Sequence, residues 1–198
     1  MSAQIKSKER VSVHGEVFTN AREVKHMLDL VQQEASSIVS TFLEPACGNG
    51  NFLYAILSRK LSTVQRLYGH RHLDYTLNAI RAVSSIYGID IQRDNVEEAK
   101  SRLFNQVFTS YINNFQAEPP EALQRATRAI LGRNIQCGNT LTFQSAEGKP
   151  LMISEWEIDE HFCITRKDYE YRAMVKTGCA AEPVRVYSKV NIIWIDKV

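Results

Sequence analysis

The spacing of apolar residues changes several times along the chain, and each change marks an element. Between Asn20 and Ser36, Val24, Met27, Leu28, Val31 and Ala35 recur at three- and four-residue intervals. That is the repeat of one helical face. Asn20 and Glu23 stand in capping-box spacing ahead of it, so a helix is expected from about Ala21 to Ser36. "STFLEPACGNG" breaks the period and reads as a short buried strand ending near Glu44. Phe52, Leu53, Ile56, Leu57 and Leu61 resume helical spacing, and "YTLNAIRAVSS" continues it. "IYGIDI" is the next buried strand. Asp94 and Glu97 form a second capping pair before a long amphipathic helix carrying Val96, Ala99, Leu103 and Val107. Pro119 and Pro120 open a further helix, Gly132 is placed to close it, and "NIQCGN" is a third short strand.

The order strand, helix, strand, helix, strand predicts an α/β fold. Its sheet would be open and mainly parallel, with helices on both faces. From about Thr142 the pattern turns β-rich, with "PLMISEWEID", "HFCITRK" and "VRVYSKVNIIWIDKV" as strands and "DYEYRAMV" as a possible helix between them. The expectation is one domain over residues 1–198, with a ligand-binding core at about 11–141 and a β-rich C-terminal part at about 142–198. "VNIIWIDKV" is a long apolar strand candidate. At a sheet edge it would offer unpaired backbone to a second polypeptide or a second copy of the chain.

Composition adds limits rather than a function. An apolar fraction of 44% and a charged fraction of 23% are ordinary for a globular protein. A net charge of +2 does not argue for nucleic acid by itself. Cys47, Cys137, Cys163 and Cys179 form no CxxC pair, and no apolar run spans a bilayer. Reduced thiols in a cytoplasmic protein with no membrane contact are expected. His70, His72, His161 and Cys163 fit no standard zinc spacing, so no metal is expected.

The turn Ala46-Cys47-Gly48-Asn49-Gly50 joins a strand to a helix. Such a turn presents free backbone N–H groups and a positive helix end to a ligand. It lacks the third glycine of a dinucleotide fingerprint and the Lys-Ser/Thr of a phosphate loop. Asp90 stands at the carboxyl end of the second strand, outside which ligands bind in open α/β sheets. Two readings are open for it: an acceptor for both hydroxyls of a ribose, or a cap on its own turn.

"FLEPACGNGNFL" resembles motif I of the S-adenosylmethionine-dependent adenine-N6 DNA methyltransferases of restriction–modification systems. "GEVFTN" resembles their motif X, "YGIDIQRDNVEEAKSRL" their motif II with its helix, and "IQCGNTL" their motif III. The resemblance covers about Gly15 to Leu141. It implies a Rossmann-like class I methyltransferase fold and S-adenosylmethionine as cofactor. It assigns the motif I stretch Pro45, Ala46, Cys47 to the cofactor site, Cys47 through its backbone and small size. Gly48 and Gly50 would let the backbone pass the methionine part, and Glu44 would serve its amino group. Phe18 and Thr19 would close over the methionine end. Asp90 would hold the ribose hydroxyls, Ile91 would pack on the adenine ring, and Asn139, where the family often has Asp, would contact the adenine edge. Beside its implied role, Phe18 is read, with Phe52 and Leu53, as core packing ahead of a direct ligand contact.

The family transfers its methyl group with a later N/D-P-P-aromatic loop, and these residues hold none. The only adjacent prolines, Pro119 and Pro120, are followed by Glu121 and read as a helix start. No catalytic residue is therefore assigned. Three possibilities stay open: the cofactor-binding part of a split or larger DNA methyltransferase, a silent cofactor-binding module in a phage or restriction–modification complex, or a transferase that draws on Glu155, Glu157, Asp159 and Glu160 of "SEWEIDE". DNA is expected as a partner only within a larger enzyme or complex.

Overall fold

The computed structural model describes residues 7–14, 17, 19–159 and 161–197. Helices α1 (Lys8–His14), α2 (Ala21–Asp29) and α3 (Gln32–Ser36) precede strand β1 (Phe42–Glu44). Helices α4 (Asn51–Tyr68) and α5 (His72–Ser84) lead to β2 (Ile86–Asp90). Helices α6 (Arg93–Phe115) and α7 (Glu121–Asn134) lead to β3 (Ile135–Asn139) and β4 (Gln144–Ser145). The chain ends with β5 (Met152–Ile158), β6 (Cys163–Glu170), α8 (Tyr171–Thr177), β7 (Arg185–Val186), β8 (Val190–Asn191) and a 3-10 segment, Ile192–Lys197.

The first sheet has the order β1-β2-β3-β4. β1, β2 and β3 run parallel, and β4 returns antiparallel to β3. The fold is thus mixed α/β with a mixed sheet. Ile86 and Ile89 of β2 are buried against a core that includes Leu53 and Leu57 of α4, Leu103 of α6 and Ile130 of α7. Register brings Glu44 opposite Gly88 and Asp90 opposite Cys137, so the carboxyl ends of the three parallel strands share one edge. A Cβ at Gly88 would lie 2.7 Å from Leu53 Cδ1 and 3.0 Å from Cys47 Sγ. The missing side chain is what lets the loop after β1 pack against β2.

The second sheet is antiparallel. β5 pairs with β6 from Met152–Glu170 to Ile158–Ile164, and both β7 and β8 pair with β6. Tyr87 Oη donates to Ser154 O at 2.8 Å, tying the two sheets together, and Trp156 Nε1 donates to Asn134 Oδ1 at 2.9 Å, tying the second sheet to the end of α7. Arg166, fully buried, meets Asp168 through two 3.0 Å bonds and lies 3.5 Å from the centre of the Tyr187 ring.

Several elements depart from expectation, each for a local reason. The helix expected over 21–36 breaks between α2 and α3. Asn20 Oδ1 caps its start through Glu23 N, as its spacing implies. Its end is set by Arg59 of α4, which donates to Leu28 O and Lys25 O and pairs with Asp29. α7 runs past Gly132 to Asn134, whose buried side chain donates to Ile86 O at 3.0 Å. Asp94 lies inside the first turn of α6 and pairs with Arg10 at 2.6 Å; Gln92 is the cap residue.

The tail is the largest correction. "VNIIWIDKV" is not one strand: among the described residues only Val190 and Asn191 pair with β6, and Ile192–Lys197 forms 3-10 turns kinked at Trp194. Asn191 Oδ1 accepts from Ile193 N and turns the backbone. Ile192 and Ile195, three apart, are then buried, with the segment packed along α7. The edge expected to receive another chain is absent from these residues. Among the described residues, no helix is long and apolar enough to cross a membrane.

Candidate functional site

The strand end and the glycine turn build one cavity. Cys47 N donates to Ile89 O and Gly50 N to Cys47 O, winding the loop tightly back toward β2. That path needs φ of 51° at Gly48 and 84° at Gly50, which L side chains avoid. Gly50 caps α4, and Arg102 of α6 donates to Asn49 O at 2.7 Å and Asn51 Oδ1 at 3.0 Å, fixing the loop from outside.

Asp90 closes the other side. Its Oδ2 accepts from Gly48 N at 2.9 Å, and its Oδ1 accepts from Gln92 N at 2.9 Å and Asn95 Nδ2 at 3.3 Å. The cap reading of Asp90 is therefore realised. Oδ2 keeps a lone pair that none of these bonds uses.

A cavity of about 370 Å³ lies along this edge. Thr19, Glu44, Pro45, Ala46, Cys47, Gly48, Asp90, Ile91 and Asn139 line it, so nine of the residues singled out from sequence meet in one place. Gly50 shapes the turn without lining the cavity. Phe18 lies outside the described residues, as do Gly15 and Glu16 of the same motif. Sequence reasoning missed Val17, Asn49, Asn51, Gln92, Thr140 and Leu141 as lining, and placed Phe52 in the core only. Phe52 both packs on the core and borders the cavity. Asn51 carried a signal in hindsight: it opens α4, and its Nδ2 donates to Thr19 O at 3.0 Å, joining the motif ahead of α2 to the glycine turn.

The electrostatics of the lining are one-sided. Among the described lining residues the charged ones are Glu44 and Asp90, with no Lys, Arg or His. Burial raises the Glu44 carboxyl above its ordinary range, opposed by a bond from Ala46 N–H. The Cys47 thiol is pushed far up by burial and by the neighbouring Asp90 and Glu44 carboxylates, which leaves it inert. A polyphosphate would meet two carboxylates and no cation. A ligand with a positive centre and hydroxyl or amine donors matches the lining.

The other candidates have structural partners. Glu155 accepts from Tyr169 Oη at 2.9 Å, Glu157 pairs with Lys167, and Asp159 Oδ1 caps the β5–β6 turn through His161 N and Cys163 N. Glu160 lies outside the described residues. His72 bonds Tyr111 Oη at 2.7 Å and stacks on Phe115. Among the described residues no cluster of His, Cys, Asp and Glu could hold a metal.

Comparison with known proteins gives one informative likeness. The chain is 32% identical over 124 residues, 60% of its length, to a Methanocaldococcus jannaschii protein provisionally named a type II restriction enzyme and methyltransferase. The matched part spans only 10% of that relative. No family model matches the chain. No solved structure matches it. The likeness links the chain, loosely, to restriction–modification methyltransferases.

Proposed function

We propose that this cavity holds S-adenosylmethionine. The chain is then the cofactor-binding part of a DNA adenine-N6 methyltransferase of a restriction–modification system, built on a Rossmann-like core. The observation that carries the reading is the meeting of the glycine turn, Glu44 and Asp90 around a cavity whose described lining has no cationic side chain. S-adenosylmethionine brings a sulfonium, an ammonium and two ribose hydroxyls, which complement two carboxylates. Glu44 would receive the ammonium, and the free lone pair of Asp90 one ribose hydroxyl. The likeness to a methyltransferase-containing relative supports the cofactor, and the order of motifs X, I, II and III supports the adenine-N6 branch.

The chain by itself holds the methyl donor without moving the methyl group. Placing an amine in line with the sulfonium carbon is worth up to roughly 7–11 kcal/mol of barrier in well-oriented systems. Among the described residues no set beside the cavity does this, and Glu155, Glu157 and Asp159 are engaged in the second sheet. Among the described residues β1 pairs only with β2, and Leu43 on β1 is 41% exposed. A parallel strand from a second polypeptide, added at that outer edge, would end beside Glu44 and could deliver the missing N/D-P-P-aromatic loop.

The test is methyl transfer from tritiated cofactor to mixed-sequence DNA. The chain alone should leave no label above background. Label should appear when a polypeptide carrying that loop is added. Strong labelling by the chain alone would overturn the non-catalytic reading and move the search for catalytic groups into the second sheet.

A further inference from the structure

We propose that the hollow between α2 and α4 is a second ligand site, apart from the cofactor cavity, and that it takes a nucleotide, with the phosphate on Lys25 and Arg102 and the planar base on Tyr54. The hollow has a volume of about 480 Å³. Val24, Leu28 and Ala55 give it an apolar floor, and the charged residues of its described lining are Lys25, Arg59 and Arg102. The cofactor cavity has the opposite balance, with Glu44 and Asp90 and no cation in its described lining. Asn51 borders both, so two hollows of opposite charge lie back to back across the start of α4. A phosphate is repelled by the one and drawn to the other.

The three cations are not equally committed. Arg59 donates to Leu28 O and Lys25 O and pairs with Asp29 at 2.6 Å, so its charge is already matched. Arg102 donates through Nη1 to Asn49 O and Asn51 Oδ1, and among the described residues its Nε and Nη2 bond nothing. Those two nitrogens form one edge of the guanidinium, the edge that can meet two phosphate oxygens side by side. Because Nη1 is anchored, the free edge is held in place before any ligand arrives. Lys25 is exposed on α2 and has no ion pair among the described residues. Two uncommitted cations, from two helices, thus border one hollow.

Tyr54 supplies the place for the base. It is 40% exposed, and the Arg102 guanidinium lies 5.4 Å from the centre of its ring. It also borders an adjoining hollow of about 410 Å³ that runs along α4 and α6, as do Ser58 and Arg102. A planar base laid on the ring gains stacking without a demand for sequence. Beyond Tyr54 the described lining is neutral and hydrogen-bonding, with Ser62, Gln65, Asn105, Thr109 and Asn113. α4 rises about 16 Å between Tyr54 and Gln65, room for the sugar and base edges of a neighbouring nucleotide. The shared chemistry is a phosphate beside a flat ring, whether in a free nucleotide or in one unit of a single strand.

Calorimetric titration at low salt with thymidine monophosphate, thymidine and a short oligothymidylate tests this. The monophosphate should bind, and thymidine should bind at least about tenfold more weakly for want of the charge-assisted bonds. Much tighter binding of the oligothymidylate would identify the ligand as a strand, and equal binding per nucleotide would identify it as the free nucleotide. Lys25→Glu should weaken monophosphate binding about tenfold, and Lys25→Arg should leave it unchanged. Tyr54→Leu should weaken it about fivefold, and Tyr54→Phe, which keeps the ring, should not. Saturating S-adenosylhomocysteine should not displace the nucleotide; displacement would put it in the cofactor cavity and overturn the proposal. A cooperatively melting chain that binds neither phosphate ligand would overturn it too, and so would Lys25→Glu binding as the wild type or thymidine binding as tightly as its phosphate. Whether S-adenosylhomocysteine itself binds is read in a separate titration, so the two sites stand or fall apart.

Discussion

Replacing Asp90 by asparagine removes one acceptor atom and should cost more than so small a change suggests. The carboxylate joins two segments: Oδ2 accepts from Gly48 N, and Oδ1 from Gln92 N and Asn95 Nδ2. An amide has one oxygen. Turned one way, it keeps the bonds to Gln92 and Asn95 and sets an NH2 against the Gly48 N–H. Turned the other way, it loses both bonds on the helix side. The first arrangement is the cheaper. It forfeits one hydrogen bond to a charged group, worth about 1.5–3 kcal/mol, and leaves a donor facing a donor. For a domain of this size each kcal/mol moves the midpoint by about 2–4 °C, so Asp90→Asn should melt roughly 5–10 °C below wild type. Asp90→Ala should fall in the same range, because it removes the acceptors without creating the donor clash. Thermal unfolding followed by circular dichroism reads both. An asparagine variant melting within about 1 °C of wild type would show that the carboxylate does not hold the turn and the helix start together.

Three further substitutions have defined outcomes. Glu44→Gln should stabilise the ligand-free chain at neutral pH while weakening cofactor binding. Because burial raises Glu44 in the folded state, the native chain holds the proton longer than the unfolded one, and stability falls as pH rises above the ordinary carboxylate range. Chemical denaturation across that range should show the slope reduced in the variant; an equal slope would refute the assignment. Lys60, fully buried, donates at 2.6 Å to both Ser37 O and Ser40 O just ahead of β1, so Lys60→Met should cost about 2–4 kcal/mol in denaturant melts. Burial also lowers Lys60 from 10.5 to about 8, so the unfolded chain binds more protons in that window. The wild type should therefore gain stability relative to Lys60→Met as pH rises through the window, and a parallel pH dependence would contradict this. Gly88→Ala puts a methyl 2.7 Å from Leu53 Cδ1 and should destabilise by about 1–3 kcal/mol; a neutral result would mean that the loop after β1 yields easily.

The glycine turn, the acid at the end of β2 and the parallel course of β1, β2 and β3 were legible because each rests on local chemistry. Gly48 and Gly50 announce backbone that other residues avoid, and a hydrophobic run ending in "IDI" announces a buried strand with an acid at its end. What escaped was decided by partners far away in sequence. The break after Asp29 depends on Arg59, and the extension of α7 past Gly132 on a pocket for Asn134 beneath β2. The tail carried two compatible periods. Its alternating apolar residues suit a strand, but Ile192 and Ile195 also sit three apart, and packing along α7 selects the helical option. Leu141 gave no signal, since an apolar residue in a turn has no periodicity to betray it.

The most direct measurement is calorimetric titration of S-adenosylhomocysteine into the purified wild-type chain, with cooperative melting of the same sample as proof of folding. The account predicts saturable binding at one site per chain, lost or much reduced in Asp90→Ala. A cooperatively folded chain giving no saturable heat, or binding as well without Asp90 as with it, would contradict it.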